Sequence, residues 1–510
     1  MSYSNSSFAI IADKVFTGLK TLQRSLVFIE NSLIIEIIEL PQSLTINEIK
    51  NLYANWNIIY IPDTYMIPGI TDLNIRATFE CEECLSIAAY MGGITQGYVE
   101  VTTFTVFTKK NLRPLQVISH HDELYSGTDI VKIYLSQPDC YTPHTEDVAE
   151  IITEANELGR SVVIDCSIND PRLLAMASPF RTEPELKRLE GKVTNLKIFA
   201  SAIEVNVIET SSNSSEDEKI LENTVDSIEN PLIEAELRTY KASGKTVFNE
   251  KEQSRCRRPQ ALVIPIIRQE TGYDNYLHNI PRSWELRGVK LVLETVAGPM
   301  TPPPNRSREK SFVDCSQIHF SNIACAETVE YLWDHAGRLP CVTWETSPNY
   351  LLFNENHLTS ALTNLKTYPP IRDKRNQESL CKLYLDKKIH CIGSHHTLVK
   401  PEFKVKEFAR AVPGICNLGY GICTVWTLLP NKDDNDVEHL VMTMCGNPGR
   451  IAKIDWEIKV GNMATFVLWN PFVERKACIY QQSPYKDRKL FGEVIKVFVG
   501  GENVYTVDNM

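Results

Sequence analysis

Apolar and polar residues alternate over residues 8 to about 62, in short runs such as FAIIADKVF and SLIIEIIEL. A period of two is typical of half-buried β-strands, so this stretch predicts a small sheet. β-type runs return after about Val441, in KVGNMATFVLWNP and FGEVIKVFVGGENVY. A sheet at each end of the chain predicts that the two ends pair into one composite β-sandwich.

The centre of the chain has a different rhythm, in which short apolar strands alternate with amphipathic helical patterns such as EDVAEIITEANELGR. The strand candidates are YMIPGITDL, YVEVTTFTVF, LQVISHH, DIVKIYLS, SVVIDCS, QIHFSN, LPCVTWETS and HCIGSHH. Eight strands in βα succession predict an α/β fold, a TIM-like (β/α)8 barrel with its active site at the C-terminal ends of the strands. We therefore divide the chain into residues 1–63 (first part of the sandwich), 64–440 (barrel) and 441–510 (second part of the sandwich).

One segment interrupts this rhythm. Residues 206–234 are acidic, rich in Ser and Asn and free of aromatic residues. Such a segment buries too little apolar surface to order itself, which predicts an insertion on the barrel surface. A solvated loop is the simpler interpretation, and a phosphorylated or partner-docking segment is the alternative.

Charge and cysteine content indicate which kinds of partner and which cellular compartment to expect. A formal net charge of -11 over 510 residues argues against nucleic acid or an anionic membrane as a partner. Neither a signal-peptide pattern nor a run of about 18 apolar residues occurs, so we expect a cytoplasmic protein without a membrane span. The 14 cysteines lack framework spacing, which fits a reducing compartment. We interpret Cys81 and Cys84 as two helix-borne thiols, with a metal or redox role as the alternative.

Four longer strings carry a family resemblance: IPRSWELRGVKLV, WETSPNYLLF, PPIRDKRNQESL and SPYKDRKLFGEVIKVFVGG. With them, the chain resembles the cyclic amidohydrolases (dihydroorotase, dihydropyrimidinase and allantoinase), and among these it looks most like allantoinase. The resemblance covers nearly the whole chain. It implies a barrel with a composite β-sandwich, and an ancestral reaction in purine breakdown that opens the hydantoin ring of allantoin to give allantoate.

The resemblance also implies two zinc ions that share a bridging hydroxide, because an unactivated cyclic amide is a poor electrophile. The family holds these ions with four histidines, one carbamylated lysine and one aspartate that also moves the proton. In this sequence the bridging-lysine place is Lys132 and the sixth-strand histidine place is His319, so both residue types are retained.

The other four family positions have changed. Asn74 and Arg76 stand at the first two histidine places, Asp165 at the fifth-strand histidine place and His395 at the place of the catalytic aspartate. Arginine is a fixed cation without a lone pair, so Arg76 opposes a metal ion. Without metals, Lys132 is expected to be an ammonium group paired with Asp165 or Asp72.

Three outcomes follow for the site. The first is an inactive site filled by ion pairs and hydrogen bonds, with no cofactor. The second is a single-metal site made by Asp165, His319 and His395. The third is an active enzyme with two zinc ions bridged by carbamylated Lys132, in which His120 and His121 are the substitutes if the alignment has slipped.

We therefore expect a catalytically inactive allantoinase-like homologue that acts as a binding or scaffold subunit; an active allantoinase or related cyclic-amide hydrolase is the alternative. Collapsin response mediator proteins, which resemble dihydropyrimidinase without its metal site, are the precedent. Ser347, Asn349 and Pro370 are candidates for a retained ureide pocket. The resemblance suggests a homo-oligomer, and the acidic insertion is a candidate docking element for protein partners.

Overall fold

A computed structural model provides the structure of the chain. It describes residues 7–77, 80–101, 107–118, 129–135, 145–166, 204–209, 261–266, 280–297, 318–336, 341–358, 363–404, 411–475 and 480–507, together with residues 124, 273, 276–277 and 408.

The strands in chain order are β1 Phe8–Ala12, β2 Lys14–Phe16, β3 Thr21–Leu22, β4 Ser25–Glu30, β5 Leu33–Glu39, β6 Asn57–Tyr60, β7 Tyr65–Pro68, β8 Ile70–Arg76, β9 Ile94–Val101, β10 Leu112–Val117, β11 Ile130–Tyr134, β12 Ser161–Asp165, β13 Glu204–Glu209, β14 Ala261–Ile266, β15 Ile318–Ser321, β16 Val342–Thr346, β17 Cys391–Ile392, β18 His396–Thr397, β19 Phe466–Glu474, β20 Phe491–Val499 and β21 Glu502–Thr506. The α-helices are α1 Ile46–Leu52, α2 Glu82–Met91, α3 Thr145–Glu157, α4 Arg282–Ala297, α5 Ala326–Ala336, α6 Pro348–Leu352, α7 Lys374–Leu385, α8 Gly421–Leu428, α9 Asp434–Val441 and α10 Asn447–Ile451.

Strands from both ends of the chain form the β-sandwich. One sheet has the order β5-β4-β1-β6, and the other has the order β21-β20-β19-β7-β2-β3. In the second sheet β19 is antiparallel to β7, with Val467 opposite Ile67. The predicted composite β-sandwich is therefore confirmed. Its core consists of buried aliphatic and aromatic side chains from both ends, including Phe8, Phe466 and Phe498.

The barrel strands form one parallel sheet in the order β17-β16-β15-β12-β11-β10-β9-β8-β18. The short strands β17 and β18 are two pieces of the eighth strand: Thr346 of β16 pairs with Ile392, and Ile75 of β8 pairs with His396. The sheet thus closes on itself, and the predicted TIM-like barrel is confirmed. Strands such as β11 and β12 are buried along their whole length, as expected for a parallel sheet covered on both faces.

Residues 168–281 form a second compact unit. Its described part contains the antiparallel pair β13 and β14, in which Val207 lies opposite Val263. Residues 206–209 of the predicted acidic insertion therefore belong to a strand, because their apolar residues pair with the apolar run of β14. Residues 210–234 of that insertion lie outside the described residues. The domain boundaries at residues 63 and 440 remain predictions.

Within the described part of the chain, none of the helices is both long enough and apolar enough to cross a lipid bilayer.

Substitution Phe498→Ala should destabilise the sandwich strongly. The Phe498 ring is 2% exposed and stacks on Phe466 and Phe8, with ring centroids 4.9 and 5.6 Å apart. Because a cavity forms between the two chain ends, we expect the free energy of unfolding to fall by about 3–5 kcal/mol. Urea denaturation followed by circular dichroism measures the change.

Phe472→Ala is the matched control, since Phe472 lies in the same sheet but is 59% exposed. We expect this control to lose at most about 1 kcal/mol. Equal losses for the two variants would contradict a shared core made by both ends.

Candidate functional site

The C-terminal ends of the barrel strands carry a group of buried polar side chains. Register brings them together: Lys132 of β11 lies beside Val163 of β12, which lies beside His319 of β15. Lys132 and His319 are both 0% exposed in their side chains. Charged and polar groups at this depth are removed from bulk solvent, so burying them is costly unless they are paired with one another.

Glu100 is the centre of this group, since its carboxylate binds two cations. Lys132 Nζ donates to Glu100 Oε1 at 2.6 Å and to Asn74 Oδ1 at 2.8 Å. Arg76 Nε donates to Glu100 Oε2 at 2.8 Å. The Tyr134 hydroxyl also donates to Glu100 Oε1, at 2.6 Å, and accepts from the Arg76 guanidinium. One carboxylate thus joins the C-terminal ends of β8, β9 and β11.

The electrostatics of this cluster are dominated by burial and by its two cations. Burial alone raises the pKa of Glu100, but the charges of Arg76 and Lys132 outweigh it and lower the pKa to about 2. Burial lowers the pKa of Arg76, and the charge of Glu100 more than reverses this, so that the pKa lies above its ordinary value. Glu100 is therefore ionised and Arg76 protonated at neutral pH. The ion-pair partner of Lys132 is Glu100, rather than Asp165 or Asp72 as the sequence predicted, because the Glu100 side chain reaches Lys132 from β9, two strands away in the sheet.

A second set of hydrogen bonds connects Asn74 to the opposite side of the barrel. Asn74 Nδ2 donates to Glu345 Oε1 at 3.2 Å and also to the side-chain oxygen of Asn322. Asn322 Nδ2 in turn donates to Asp165 Oδ2 at 2.9 Å. Asn322 has a φ of +59°, in the left-handed region that Asn tolerates better than most residues. The substituted residues Asn74 and Asp165 are thus linked through Asn322.

His319 lies on this opposite side and is held by two neighbours. Its Nδ1 is 2.9 Å from Thr343 Oγ1. Its Nε2 is 3.3 Å from Glu345 Oε2, at ion-pair distance but without the alignment of a hydrogen bond. Glu345 fits here because Gly393 faces it: a Cβ at residue 393 would lie 2.4 Å from Glu345 Oε2. The glycine is needed for this close approach.

His395 lies between the two pieces of the eighth strand, with a φ of +49°. A histidine in the left-handed region is strained, and such strain is concentrated at functional positions. The Tyr350 hydroxyl is 3.3 Å from His395 Nδ1. Burial lowers the pKa of His395 to about 3, and the nearby cations Arg76 and Lys132 contribute in the same direction. His395 is therefore a neutral imidazole at physiological pH.

Asp72 is a buried carboxyl group in which only one of the two oxygens accepts hydrogen bonds from the described residues. Its Oδ1 accepts from the backbone N–H groups of Asn74 and Ser394, each at 3.1 Å. Its Oδ2 is buried and has no hydrogen-bond partner in the described part of the chain. Burial raises the pKa of Asp72 to about 6, with a smaller contribution from the negative charge of Glu345. Asp72 therefore titrates close to neutrality.

His396 forms a separate hydrogen-bonded chain at the same end of the barrel. Its Nδ1 accepts from the backbone N–H groups of Asn417 and Leu418, at 3.2 and 3.0 Å. The proton consequently lies on Nε2, which donates to Glu80 Oε2 at 2.8 Å. Tyr480 donates to the other oxygen of Glu80 at 2.5 Å. These hydrogen bonds connect β18 to Glu80, which lies two residues before the start of α2.

The residues predicted for a ureide pocket lie next to this region. Ser347 Oγ donates to the Ser394 carbonyl at 2.9 Å, which places Ser347 against the eighth-strand loop. Asn349 Oδ1 accepts from Tyr485 and Asn417 at 2.7 and 3.1 Å, while Asn349 Nδ2 is buried and unpartnered among the described residues.

Pro370 is buried, and it follows a cis peptide bond between Tyr368 and Pro369. The carbonyl oxygen of Pro369 accepts from the Tyr350 hydroxyl at 3.0 Å. This hydroxyl also faces His395, so the loop before Pro370 is connected to the eighth-strand position. The predicted substitutes His120 and His121 lie outside the described residues.

Sequence reasoning missed several residues of the site. The missed residues are Glu80, Glu100, Tyr134, Asn322 and Glu345. Two of them carried a usable signal, since Glu100 is a charged residue between Val99 and Val101 near the end of its strand, and Tyr134 follows Lys132 by two residues, on the same side of its strand. The others contribute through contacts between distant segments, which no local pattern reveals.

Comparison with known proteins identifies relatives by sequence and by fold. No family model matches the chain. Allantoinase of Arabidopsis thaliana is 26% identical over 248 residues, which are 46% of this chain and 47% of the relative. Probable allantoinase of Oryza sativa subsp. japonica is 27% identical over 48% of this chain and 51% of the relative. Dihydroorotase of Clostridioides difficile (strain 630) is 29% identical over 32% and 40%. The matched region spans about half the length of these curated relatives.

Solved structures share the fold over almost the whole chain. A crystal structure of D-hydantoinase superposes with a TM-score of 0.65 at 15% identity, covering 98% of this chain and 95% of that one. L-hydantoinase (dihydropyrimidinase) from Arthrobacter aurescens gives a TM-score of 0.66 at 14% identity, covering 98% and 96%. These relatives and structural neighbours support membership of the cyclic amidohydrolase superfamily.

The two-zinc centre that the resemblance implies does not fit the residues that the resemblance places there. Arg76, expected at a ligand position, has no lone pair to offer, and Lys132, expected at the bridging position, donates to Glu100 and Asn74. Two fixed cations next to a dication repel it, by several kcal/mol in a poorly solvated site as an order of magnitude. Glu100 already satisfies both cations.

The alternative single-metal site also lacks a ligand set. Asp165 accepts from Asn322, His319 contacts Thr343 and Glu345, and His395 contacts Tyr350. Among the residues that the structure describes, no group of three or more His, Cys, Asp or Glu side chains could hold a metal ion. The structure therefore does not bring Asp165, His319 and His395 together as metal ligands, because each contacts side chains from a different element.

Substitution Glu100→Gln should destabilise this protein strongly. It removes the negative charge that compensates Arg76 and Lys132 while keeping the shape of the side chain. We expect the free energy of unfolding to fall by about 3–5 kcal/mol at pH 7, the usual effect of breaking a buried ion pair. Urea denaturation at several pH values measures it.

The wild-type protein should also lose stability in acid. The pKa of Glu100 is about 2 in the folded state, compared with 4.5 for a glutamate without these interactions. Its contribution to the stability of the fold is therefore present above about pH 4.5 and is lost as the pH falls towards 2. Glu100→Gln should lack this part of the acid dependence. Glu502→Gln is the control, since Lys110 and Glu502 are 63% and 56% exposed and contribute at most about 1 kcal/mol. Equal effects of the two substitutions would refute the role of Glu100.

The pH dependence that Asp72 contributes to folding stability should be opposite in sign to that of Glu100, and substitution Asp72→Asn should remove it. The folded state raises the pKa of Asp72 from 3.8 to about 6, so its favourable contribution is present below about pH 3.8 and is lost as the pH rises through 6. The stability of Asp72→Asn relative to wild type should therefore increase between pH 4 and pH 7. Parallel stability curves for the two proteins over this range would show that Asp72 is not buried as a proton-binding carboxyl.

Proposed function

We propose that this chain is a cyclic amidohydrolase homologue that has exchanged its metal centre for an ion-pair network and acts as a non-catalytic binding or scaffold subunit. The observation that carries the proposal is the joint engagement of Arg76 and Lys132 by Glu100. Two protein cations stand where the resemblance implies two metal ions. Arg76 and Lys132 thereby supply the positive charge that balances the Glu100 carboxylate in the barrel interior, without zinc.

Hydrolysis of a cyclic amide also requires an activated nucleophile and a proton carrier. His395 stands at the place of the catalytic aspartate, but it is neutral, buried and next to the Tyr350 hydroxyl. A neutral imidazole supplies no carboxylate charge, and its pKa of about 3 makes it a weak base. The hydrogen bonds from Lys132 Nζ to Glu100 and Asn74 support an uncarbamylated side chain that does not bridge metals. The proposed site therefore lacks both activating groups.

A binding role is compatible with the same arrangement. Arg76 retains a side-chain exposure of 25%, and Asn349 Nδ2 is a buried donor without a partner among the described residues. A ureide offers carbonyl acceptors and N–H donors that match such groups. We therefore include a ureide as the proposed ligand class. A homo-oligomer and docking through residues 206–234 remain proposals that rest on the resemblance and on composition.

The second candidate is a cyclic-amide hydrolase with an altered site, acting on allantoin or a related substrate. It is favoured by the names of the relatives and by two buried groups with displaced pKa values, Asp72 and His395. Displaced pKa values are concentrated at active sites, although buried structural networks produce them too. In this case zinc bound by a carbamylated Lys132 remains the expected cofactor.

The deciding experiment measures zinc content per chain and allantoin hydrolysis on full-length protein purified with zinc and bicarbonate. We expect near-zero zinc and no turnover. About two zinc ions with turnover would overturn the proposal and support the hydrolase. Zinc without turnover would support the proposal that the site is inactive but would contradict the proposal that it is free of metal.

A variant series makes this result interpretable. The fourfold variant Asn74→His, Arg76→His, Asp165→His and His395→Asp restores the family residue types and should raise zinc uptake. Arg76→Lys keeps the cation and should leave uptake near zero. Titration calorimetry with allantoin completes the series: binding without turnover supports a ureide ligand, and lack of binding removes it from the proposal.

A further inference from the structure

Cys81 and Cys84 form a close pair of thiols at the start of α2. Cys81 is the residue that caps the helix, and its Sγ accepts from the backbone N–H of Cys84 at 3.2 Å. The two Sγ atoms are 2.7 Å apart, closer than two sulfur atoms in ordinary contact. Both residues are exposed. The sequence interpretation of two separate helix thiols therefore gives way to a paired dithiol.

The environment makes the two thiols unequal. Hydrogen bonds from the Cys84 thiol and backbone N–H lower the pKa of Cys81. The same thiol contact, burial and the negative charge of a Cys81 thiolate raise the pKa of Cys84. A thiolate is the nucleophile in disulfide exchange, and Cys-x-x-Cys pairs at helix starts favour it. Cys81 is thus the attacking sulfur, and Cys84 is the sulfur that closes the bond.

Other cysteines in the described part of the chain have the opposite environment. Cys166, Cys325, Cys391 and Cys445 are buried. Burial raises the pKa of each of these thiols, so they remain protonated and inaccessible. The pair at α2 combines exposure, proximity and an activated sulfur, and so is chemically distinct from them.

We propose that Cys81 and Cys84 are a redox-active dithiol that exchanges with low-molecular-weight disulfides. The Cys81 thiolate attacks one sulfur of the disulfide, which forms a mixed disulfide and releases one thiolate. Cys84 loses its proton, and its thiolate then attacks Cys81 Sγ and releases the second thiolate. The protein dithiol is oxidised by two electrons, the small disulfide is reduced to two thiols, and the two protons pass to these products.

The location gives this pair a place beside the barrel site. Cys81 directly follows Glu80, whose carboxylate accepts from His396 and Tyr480. The exchange reaction itself depends only on the two thiols. It is independent of whether the barrel binds zinc or hydrolyses a cyclic amide, so its failure would leave the proposed function untouched.

The test uses the full-length protein, a chelator and buffers with graded ratios of reduced to oxidised glutathione. After acid quenching and alkylation, peptide mapping by mass spectrometry follows the peptide that contains both cysteines. We expect this peptide to lose two hydrogens in an oxidising buffer and to regain them in a reducing one. Absence of the intramolecular disulfide in fully oxidised glutathione would overturn the proposal.

Single serine variants separate the two roles. Cys84→Ser retains a hydroxyl and backbone N–H facing Cys81, so it should trap a glutathione mixed disulfide on Cys81. Cys81→Ser should form its mixed disulfide more slowly at pH 7, because burial and the charge of Glu80 still raise the pKa of Cys84 when Cys81 is absent. Cys166→Ser is the matched control and should leave the oxidation of the pair unchanged. Equal rates for Cys81→Ser and Cys84→Ser would contradict the assigned roles of the two sulfurs.

Discussion

The Glu100 carboxylate is the group on which the polar interior of this barrel depends. It lies within hydrogen-bond distance of Arg76, Lys132 and Tyr134, and the strands that carry these residues converge on it. An uncompensated buried cation is very unfavourable, and two adjacent ones are worse, because they also repel each other. Compensation by a single carboxylate lets the parallel sheet close around charges that no apolar core would accept.

This arrangement also explains why changes at separate family positions are compatible with one another. Arg76 introduces a cation, Asn74 accepts a hydrogen bond from Lys132, and Asn322 links Asn74 to Asp165. The residues act as one network across β8, β11, β12 and the loop after β15. Each of these side chains therefore depends on other members of the network for its hydrogen bonds.

The split eighth strand and the adjoining β-sandwich support the site. The eighth strand is split into β17 and β18, and the turn between them carries His395 in the left-handed region. This turn contacts Asp72 through the Ser394 N–H and contacts Ser347 through the Ser394 carbonyl. The composite β-sandwich adjoins the first barrel strand directly, since β7 pairs with β19 and is followed by β8. The two ends of the chain thus fix the start of the barrel.

The sequence by itself determined the architecture, because hydrophobic periodicity is local: alternation predicted the sandwich strands and short buried runs predicted the barrel strands. Family strings also located Asn74, Arg76, Lys132, Asp165, His319 and His395 as one set. Only the tertiary structure decided their partners. Glu100 accepts a hydrogen bond from Lys132, 32 positions away, and Glu345 accepts one from Asn74, 271 positions away. Such pairing depends on strand register and barrel closure, and neither leaves a local pattern in the sequence.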